Sequence, residues 1–457
     1  MKDDEANRFS ARAARYARVG ANVGVVGARI VAARLAGARD GSEAAALARA
    51  LGGLKGPMMK VAQMMATIPD LLPPDYADEL QKLQADAPPM GAGFVRRRMR
   101  AELGEAFLER FASFDFAPAA AASLGQVHRA VALDGERLAC KLQYPDMASA
   151  VEADLAQLDV IFSLHRRFNP VIDTREIVKE IGARVREELD YAREARHAAL
   201  YGEILRDAPD VRVPHVRPEL STARLLTLGW LDGAPLLELR SAPQAARGRV
   251  AAALFHAWWT PFARFGVIHG DPHLGNYAVF GEGGAPRGPD DALGINLLDY
   301  GCVRIFRPEF VEGVKTLYEA LLRDDFDRAV AAYERWGFRG LTRELAEVLN
   351  IWARFIFGPL LDDRERTIAD GVSPGRYGRK EAFRVHQALK EKGPVLVPRE
   401  FVFMDRAAIG LGGAFLHLDA RLNFHRLFEE AIGDFSLEAL RARQAGALER
   451  AGLPAPV

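Results

Sequence analysis

Two polar residues five positions apart, Asp271 and Asn276, mark the most informative part of the sequence, His269–Asn276. They stand in a loop directly before a run of strand-forming residues. An aspartate at the first position can orient an attacking hydroxyl group, and the amide oxygen of an asparagine at the second can hold Mg²⁺. This spacing predicts phosphoryl transfer from a nucleoside triphosphate.

A further acidic position follows an apolar strand segment. Asp299 comes directly after Ile295–Leu298 and precedes a tyrosine and a glycine. The pattern is similar to the Asp-Phe-Gly element of protein kinases, whose aspartate bridges Mg²⁺ to the phosphates of ATP. On its own it is equally typical of a turn at a strand end, but its place downstream of Asp271 and Asn276 favours a metal site. We therefore expect ATP or ADP and Mg²⁺ as cofactors.

Lys141 ends an otherwise apolar strand, Leu138–Lys141. Such a lysine either extends its amino group to solvent or pairs with a carboxylate. A helical segment downstream carries Glu188, Asp190 and Glu194, in the order in which a kinase lysine precedes its partner glutamate. Because Asp190 and Glu194 are four positions apart, we expect them to share a helix face, with Glu188 pointing elsewhere. A solvated helix surface is the alternative for these acids.

An alanine-rich loop, Ala119–Gln126, occupies the place where kinases cover the phosphates with a glycine-rich loop. Methyl groups limit the close approach of backbone to phosphate that glycine allows. The loop is therefore predicted to bind the nucleotide in an altered manner.

Apolar periodicity and turn residues predict the elements that must position these side chains. Residues 44–110 are predicted to form helices broken by Gly-Pro and Pro-Pro pairs, and Ile177–Leu189 a helix with one buried face. After residue 231 the chain is predicted to be mostly helical. The predicted strands are Gly125–Leu133 and Leu138–Gln143, joined by the turn Asp134-Gly135; Thr222–Leu231; and Tyr277–Phe280 and Ile295–Leu298, which are expected to pair around the loop Gly281–Ala292.

These elements indicate an α+β fold with three regions. Residues 1–105 form a helical extension, residues 106–231 a mixed sheet lobe with a helical insert, and residues 232–457 a helical lobe.

The composition excludes several classes of protein. The 457 residues include 61 lysines and arginines and 61 aspartates and glutamates, a balance that argues against binding nucleic acid through its phosphates. Two cysteines exclude a disulfide scaffold and a zinc site of several thiolates, and they favour a reducing compartment. There is no run of about 18 uncharged apolar residues and no secretory leader pattern. We therefore expect a cytoplasmic protein without a transmembrane segment.

Two further segments bear on membranes and packing. Ala6–Arg39 contains seven arginines and no acidic residue. It is predicted to lie as a basic amphipathic helix on an anionic membrane surface, with an ordinary solvated helix as an equal alternative. The apolar run Ala407–Leu418 is short, and we expect it to be a core helix.

Taken together, the sequence resembles the UbiB/AarF family of atypical kinase-like proteins from about Gly53 to Leu427. Four parts of the sequence carry this resemblance most specifically: Lys60-Val61-Ala62-Gln63 with Leu71-Leu72-Pro73-Pro74 behind it, the alanine-rich loop, Glu188-x-Asp190, and His269–Asn276. Ordinary protein kinases lack the first three of these parts. The resemblance implies an atypical protein-kinase-like bilobal fold with the N-terminal helical extension packed over the active site.

The resemblance also implies roles for the residues that match the family's motifs. Lys60 and Gln63 would belong to a signature helix that folds over the nucleotide. Lys60 would pair with Glu188, and Lys141 would pair with Glu194.

The remaining implied roles concern the metal and the adenine. The implied catalytic residues are Asp271, Lys141, Lys60 and Glu188; the nucleotide-binding residues are Ala120, Ala121, Ala122, Ser123, Lys141, Glu194 and the hinge residues Gly229 and Leu231; and the metal ligands are Asn276 and Asp299. Ala62, Gly229 and Tyr300 stand where the family commonly has glycine, an acid and phenylalanine. We therefore assign no side-chain contact to adenine at position 229.

The sequence also bears on the acceptor of the phosphoryl group. No arginine precedes Asp271, and only a few residues separate Gly301 from a helix that begins near Pro308. The arginine that usually binds an activation-loop phosphate and an activation segment able to dock a protein substrate are therefore missing, and we do not expect phosphorylation of proteins in trans.

The resemblance implies an Mg-dependent ATPase or phosphotransferase that supports ubiquinone or prenyl-lipid biosynthesis. Its expected partners are a nucleotide, a prenyl-quinone lipid or precursor and an anionic membrane surface, but no nucleic acid. Two alternatives stay open: a small-molecule kinase of the aminoglycoside or choline type, and a catalytically silent nucleotide-sensing scaffold. The oligomeric state is also open, with a homodimer as one alternative.

Overall fold

The computed structural model describes residues 90–122, 124–145, 147–152, 155–156, 182–369 and 399–456. Lys60, Gln63, Ser123 and the arginine-rich segment Ala6–Arg39 lie outside the described residues, so what was expected of them stays a prediction.

The strands of the described chain all lie before residue 306, and the described residues after it are mostly helical. The helices are α1 (Ala92–Leu103), α2 (Tyr191–Ile204), α3 (Gln244–Phe265), α4 (Pro308–Leu322), α5 (Phe326–Trp336), α6 (Arg343–Phe357), α7 (Arg399–Leu418), α8 (Phe424–Ile432) and α9 (Leu437–Arg450). The strands are β1 (Phe111–Ala122), β2 (Gly125–Ala132), β3 (Arg137–Gln143), β4 (Val211–Arg212), β5 (Leu225–Gly229), β6 (Ala234–Pro235), β7 (Val267–His269), β8 (Tyr277–Phe280), β9 (Gly294–Leu297) and β10 (Val303–Ile305).

The chain divides into two compact units. Of the described residues, the first unit contains those up to Arg193 together with Arg217–Gly229. The second contains Glu194–Val216 and the residues from Trp230 onward. The division therefore falls inside α2, between Arg193 and Glu194.

The first unit is built on an antiparallel sheet with the strand order β1-β2-β3-β5. The predicted β2–β3 hairpin is confirmed. Its turn is held by the Asp134 carboxylate, whose Oδ1 accepts from the backbone N–H of Glu136 at 3.0 Å. Gly135 has a φ of 89°, which a residue without a Cβ adopts at little cost.

One face of this sheet buries the core of the first unit. Leu138, Cys140 and Leu142 alternate along β3 and pack with Val95 and Met99 of α1. Since successive side chains of a strand point to opposite faces, Lys141 lies on the other face of β3. The alternation therefore separates the core from the predicted site residue.

Strand β1 was not expected from the sequence, which indicated a loop at Ala119–Gln126. Ala119, Ala120, Ala121 and Ala122 continue β1 up to a tight turn before Gly125. Alanine is somewhat depleted in strands, so an alanine-rich segment gives no strand signal. β1 lies at the sheet edge and its pairing with β2 is irregular around Pro118, as expected for a residue that lacks a backbone N–H.

The second unit contains a sheet of order β4-β9-β8-β6 and a separate pair, β7 with β10. The predicted pairing of the two strands around the loop Gly281–Ala292 is confirmed by the antiparallel register of β8 and β9. The prediction of an otherwise helical chain after residue 231 was wrong for β6, β7 and β10. Strands of two or three residues carry no readable periodicity.

Helix α3 forms the centre of the second unit. It is apolar on most of its circumference, and Trp258 and Phe262 are almost wholly buried. It ends at Gly266, which adopts a φ of 65°. The apolar run Ala407–Leu418 lies within α7, and Ala407, Leu411 and Leu418 are buried as a core helix requires. Among the helices that the structure describes, none is both long and apolar enough to cross a membrane.

Candidate active site

The loop that carries Asp271 begins where β7 ends. β7 pairs with β10, and directly after it the backbone N–H of Gly270 donates to the carbonyl of Cys302 at 2.6 Å. A Cβ at position 270 would lie 2.8 Å from that carbonyl oxygen, so this close approach requires glycine. The backbone contact holds the residue before Asp271 against the residue after Gly301.

Asp271 and Asn276 are joined across the loop. The Asn276 side-chain amide Nδ2 donates to the backbone carbonyl of Asp271 at 2.8 Å, and the N–H of His273 donates to the same carbonyl at 2.7 Å. With Nδ2 engaged in this way, Oδ1 is the atom of Asn276 that could bind a cation. His273 has a structural role, because its Nδ1 accepts from the N–H of Gly275 at 3.1 Å.

The pairing of β8 with β9 brings Asp299 to the same place. Tyr277 is opposite Leu297 in the ladder, and the N–H of Leu298 donates to the carbonyl of Asn276 at 3.0 Å. Asp299 follows immediately, and its Oδ1 accepts from the N–H of Gly301 at 3.0 Å. The register of one hairpin thus places the predicted metal ligands, Asn276 and Asp299, at one end of the β8–β9 pair.

Two histidines bind the backbone next to Asp299. Nε2 of His269 lies 2.8 Å from the carbonyl oxygen of Asp299, and Nδ1 of His197 lies 3.1 Å from that of Tyr300. Both histidines are buried. His197, on α2, was not identified from the sequence. The only feature of the sequence that could have identified His197 is its position three residues after Glu194, on the same helix face.

Glu194 is buried in the second unit. Its Oε1 lies 3.5 Å from the backbone nitrogen of Tyr300, a long hydrogen bond. The expectation that Asp190 and Glu194 share a helix face was wrong. Asp190 precedes α2 and caps it, since its Oδ1 accepts from the N–H of Arg193 at 2.9 Å.

Three buried tyrosines, Tyr201, Tyr277 and Tyr300, belong to the surroundings of this site. Burial raises the pKa of Tyr277, and the Asp271 carboxylate raises it further. Burial likewise raises the pKa values of Tyr201 and Tyr300, with Asp299 adding to the effect on Tyr300. These phenols therefore stay uncharged at neutral pH and leave the negative charge on the carboxylates.

The donor atoms of this cluster fit Mg²⁺ shared with a nucleotide. Among the described residues there is no group of three or more His, Cys, Asp or Glu side chains placed to hold a metal. If the Asp299 carboxylate and the Asn276 amide oxygen each bound the ion, phosphate and water oxygens would fill its other coordination positions. Mg²⁺ at nucleotide sites is commonly coordinated in this way. The site would hold the ion through these two residues.

Lys141 belongs to the first unit. Its Nζ lies 5.2 Å from the centre of the Tyr191 ring, a cation–π contact. Its pairing with Glu194, which belongs to the second unit, stays a prediction. Glu188 is half-buried at the end of the helical residues 182–188. Its pairing with Lys60 stays a prediction, because Lys60 lies outside the described residues.

The remaining nucleotide-binding predictions fall on two strands of the first unit and on one residue of the second. Ala120 and Ala121 are exposed at the end of β1. Gly125, which opens β2, approaches β3 so closely that a Cβ would lie 2.3 Å from the carbonyl oxygen of Leu142. Gly229 ends β5 opposite Leu138. Leu231, in the second unit, is partly buried.

The two cysteines differ in their surroundings. Cys140 is fully buried, and burial raises the pKa of its thiol to about 12. It therefore has the character of a small apolar core residue, as the sequence indicated. Cys302 is partly exposed beside Gly270.

Comparison with known proteins gives a consistent picture. A family profile described as "ABC1 atypical kinase-like domain" matches residues 82–333, more than half of the chain. The chain is 27% identical over 416 residues to the chloroplastic protein ACTIVITY OF BC1 COMPLEX KINASE 8 of Arabidopsis thaliana, covering 85% of this chain and 53% of that protein. It is 28% identical over 273 residues to the mitochondrial atypical kinase COQ8 of Saccharomyces cerevisiae, covering 59% and 53%.

A third relative is AarF domain-containing protein kinase 1 of Xenopus laevis, 30% identical over 286 residues, which cover 62% of this chain and 54% of that protein. The chain thus spans about half the length of these curated relatives. The solved structure of Rv3197 from Mycobacterium tuberculosis in complex with erythromycin matches with a TM-score of 0.57 at 27% identity, covering 88% of this chain and 98% of that chain.

These similarities confirm the kinase-like α+β fold and the family expected from the motifs. The residue roles within the site stay predictions, since they rest on the local geometry and the resemblance alone. The chain belongs to the ABC1/AarF family of atypical kinase-like proteins, also called the UbiB family.

Proposed function

We propose that this protein binds ATP together with Mg²⁺ and acts as an ATPase or phosphotransferase on a small or lipid-linked acceptor. The observation that carries this proposal is the cluster in which Asp271, Asn276 and Asp299 are joined by the Asn276–Asp271 and Leu298–Asn276 hydrogen bonds. In phosphoryl transfer the protein has little covalent chemistry to perform, and catalysis depends mainly on positioning and on electrostatic stabilisation. Positioned polar groups of this kind can supply both.

Each residue of the cluster has a role in this proposal. Mg²⁺, when bound, would neutralise charge that develops on the phosphates. Asn276 and Asp299 would hold the ion, and Asp271 would orient the attacking hydroxyl group or water and accept its proton. Gly270 and His273 would keep Asp271 in position through the backbone contacts of its loop.

The short connection after the metal segment supports a non-protein acceptor. β10 follows Gly301 at once and pairs with β7, and α4 begins at Pro308. Little chain is left there to dock a protein substrate. A role in ubiquinone or prenyl-lipid biosynthesis, at an anionic membrane surface, is part of this proposal.

Nucleotide titration calorimetry tests the binding step. We expect ATP and ADP to bind more tightly with Mg²⁺ than without it, and Asp299→Asn to remove most of that difference. Asp327→Asn is the matched control, because Asp327 is an exposed aspartate on α5. Binding by the wild type that does not respond to Mg²⁺ would contradict the proposal.

Hydrolysis assays test the chemical step. We expect ATP turnover that Asp271→Asn lowers by at least about a hundredfold, the usual size of a general-base contribution. Stimulation by phenol-like head groups and anionic liposomes would support the lipid-linked function. Rapid phosphorylation of an amino alcohol or an aminoglycoside without a lipid effect would favour a small-molecule kinase. If Asp271→Asn and Asp299→Asn replace the wild type in cells, the protein is a silent scaffold.

A further inference from the structure

Helix α2 holds both backbone polar groups of Tyr300. Oε1 of Glu194 accepts from the N–H of Tyr300 at 3.5 Å, and Nδ1 of His197 is 3.1 Å from its carbonyl oxygen. A carbonyl oxygen can only accept, so Nδ1 of His197 carries the hydrogen and donates it. Glu194 and His197 are each 2% exposed, so water competes little for either contact.

The Tyr300 carbonyl is linked to the Asp299 carboxylate through one rigid peptide group. The carbonyl of Tyr300 and the N–H of Gly301 belong to the same planar trans peptide, so fixing the direction of one fixes the other. That N–H donates to Oδ1 of Asp299 at 3.0 Å. The hydrogen bond from His197 therefore sets the direction of the donor that orients the carboxylate.

The side chain of Tyr300 is held independently of this peptide. Its hydroxyl donates to the carbonyl of Leu297 at 2.9 Å, and its ring packs at 5.6 Å, centre to centre, from the ring of Tyr201. The preceding carbonyl, that of Asp299, is bound by His269. Loss of the His197 contact would therefore leave the segment in place and release mainly the peptide between Tyr300 and Gly301.

We infer that His197 is a positioning residue, which aims the Asp299 carboxylate by fixing the Tyr300–Gly301 peptide and so makes Mg²⁺ affinity depend on α2. This inference rests on the proposed function, because it concerns the same metal-binding residue. His197 would act through the Tyr300–Gly301 peptide alone, without contacting nucleotide or metal.

Three substitutions separate the hydrogen bond from the volume of the ring. His197→Leu removes the donor and keeps an apolar side chain of similar reach. His197→Asn keeps an N–H close to the place of Nδ1, whereas His197→Gln carries its N–H nearer to the place of Nε2. His215→Leu is the matched control, because His215 is an exposed histidine of the second unit.

The measurement is calorimetric titration of the full chain with ADP over a series of Mg²⁺ concentrations and in the presence of EDTA. We expect His197→Leu and His197→Gln to raise the apparent dissociation constant for Mg²⁺ about five- to tenfold, the effect of one hydrogen bond. Metal-free ADP binding stays unchanged, and His197→Asn stays close to the wild type. Hydrogen exchange without nucleotide or metal provides a second readout, in which the Gly301 amide exchanges faster in His197→Gln than in His197→Asn.

Several results would overturn the inference. Equal Mg²⁺ dependence in His197→Gln and His197→Asn would show that the donor position does not matter. An equal loss of metal-free and metal-dependent binding would show a general structural role. If the wild type binds Mg·ADP and His197→Leu matches it, only this inference fails. If the wild type shows no Mg²⁺-dependent binding, the proposed function fails and the inference fails with it.

Discussion

The methyl groups at the end of β1 distinguish this protein from kinases that place glycine there. Ala120 and Ala121 are exposed just before the turn into β2. A methyl group keeps a phosphate about one carbon radius farther from the backbone than glycine does. At this scale one methyl group is expected to tune nucleotide affinity.

We expect Ala121→Gly to change the dissociation constants for ATP and ADP by several-fold, because it restores close backbone approach. Calorimetric titration of both nucleotides measures the change. Ala112→Gly is the control, since Ala112 is exposed at the other end of the same strand. Both substitutions should cost about 0.5–1 kcal/mol of stability, so a difference in nucleotide binding between them would not come from stability. Identical nucleotide binding in both variants would refute a role for the methyl group of Ala121.

At the scale of elements, α7 supports the loop that carries Asp271. A Cβ at Gly410 would lie 2.9 Å from Cγ of Pro272, the residue that follows Asp271. No atom of the described residues outside the helix backbone lies within 4 Å of a Cβ at Gly413, on the same helix. The two glycines therefore offer a matched pair of helical positions, one against the loop and one open.

We expect Gly413→Ala to stabilise the protein by about 0.8–1 kcal/mol, the gain in helix propensity. Gly410→Ala should instead destabilise the protein, because the overpacking against Pro272 costs about 1–3 kcal/mol and outweighs the gain in helix propensity. Denaturant unfolding measures both values. Since the ring of Pro272 must move, Gly410→Ala should also weaken Mg·ADP binding, and equal stability of the two variants would show that α7 does not press on the loop.

At the scale of the whole molecule, the stability of the second unit should depend on pH through one partly buried pair, His256 and Asp210. Nδ1 of His256, on α3, lies 2.7 Å from Oδ2 of Asp210, and this hydrogen bond raises the pKa of His256. Burial opposes the shift, and Glu430 adds to it. A histidine with a raised pKa contributes stability that is complete below its unfolded pKa of about 6.5 and is lost as the pH rises through its folded pKa.

We therefore expect the stability difference between the wild type and His256→Gln to be largest near pH 6 and to shrink toward pH 9. Thermal unfolding at a series of pH values measures it. Asp210→Asn should abolish the same pH dependence, because it removes the partner. Curves for the wild type and His256→Gln that run parallel over this range would exclude the pair as the cause.

Local patterns predicted much of the fold because they report on neighbours in the chain. The Asp134-Gly135 turn fixed the β2–β3 hairpin, and the apolar runs around Gly281–Ala292 predicted the β8–β9 pair. The same reasoning missed β1, whose alanines give no strand signal. It also missed the helix break at Asp190, where the apolar periodicity runs on but a new helix begins, capped by the Asp190 carboxylate.

The sequence by itself determined which residues could do chemistry and in what order, since residue type and short spacing are local properties. Only the tertiary structure decided that Asn276 and Asp299 lie at the same end of the β8–β9 pair, because this depends on the register of two strands separated by a loop. It also decided that His197 reaches the carbonyl of Tyr300, 103 positions away. No periodicity encodes a contact across that distance, which arises only when the chain has folded back on itself.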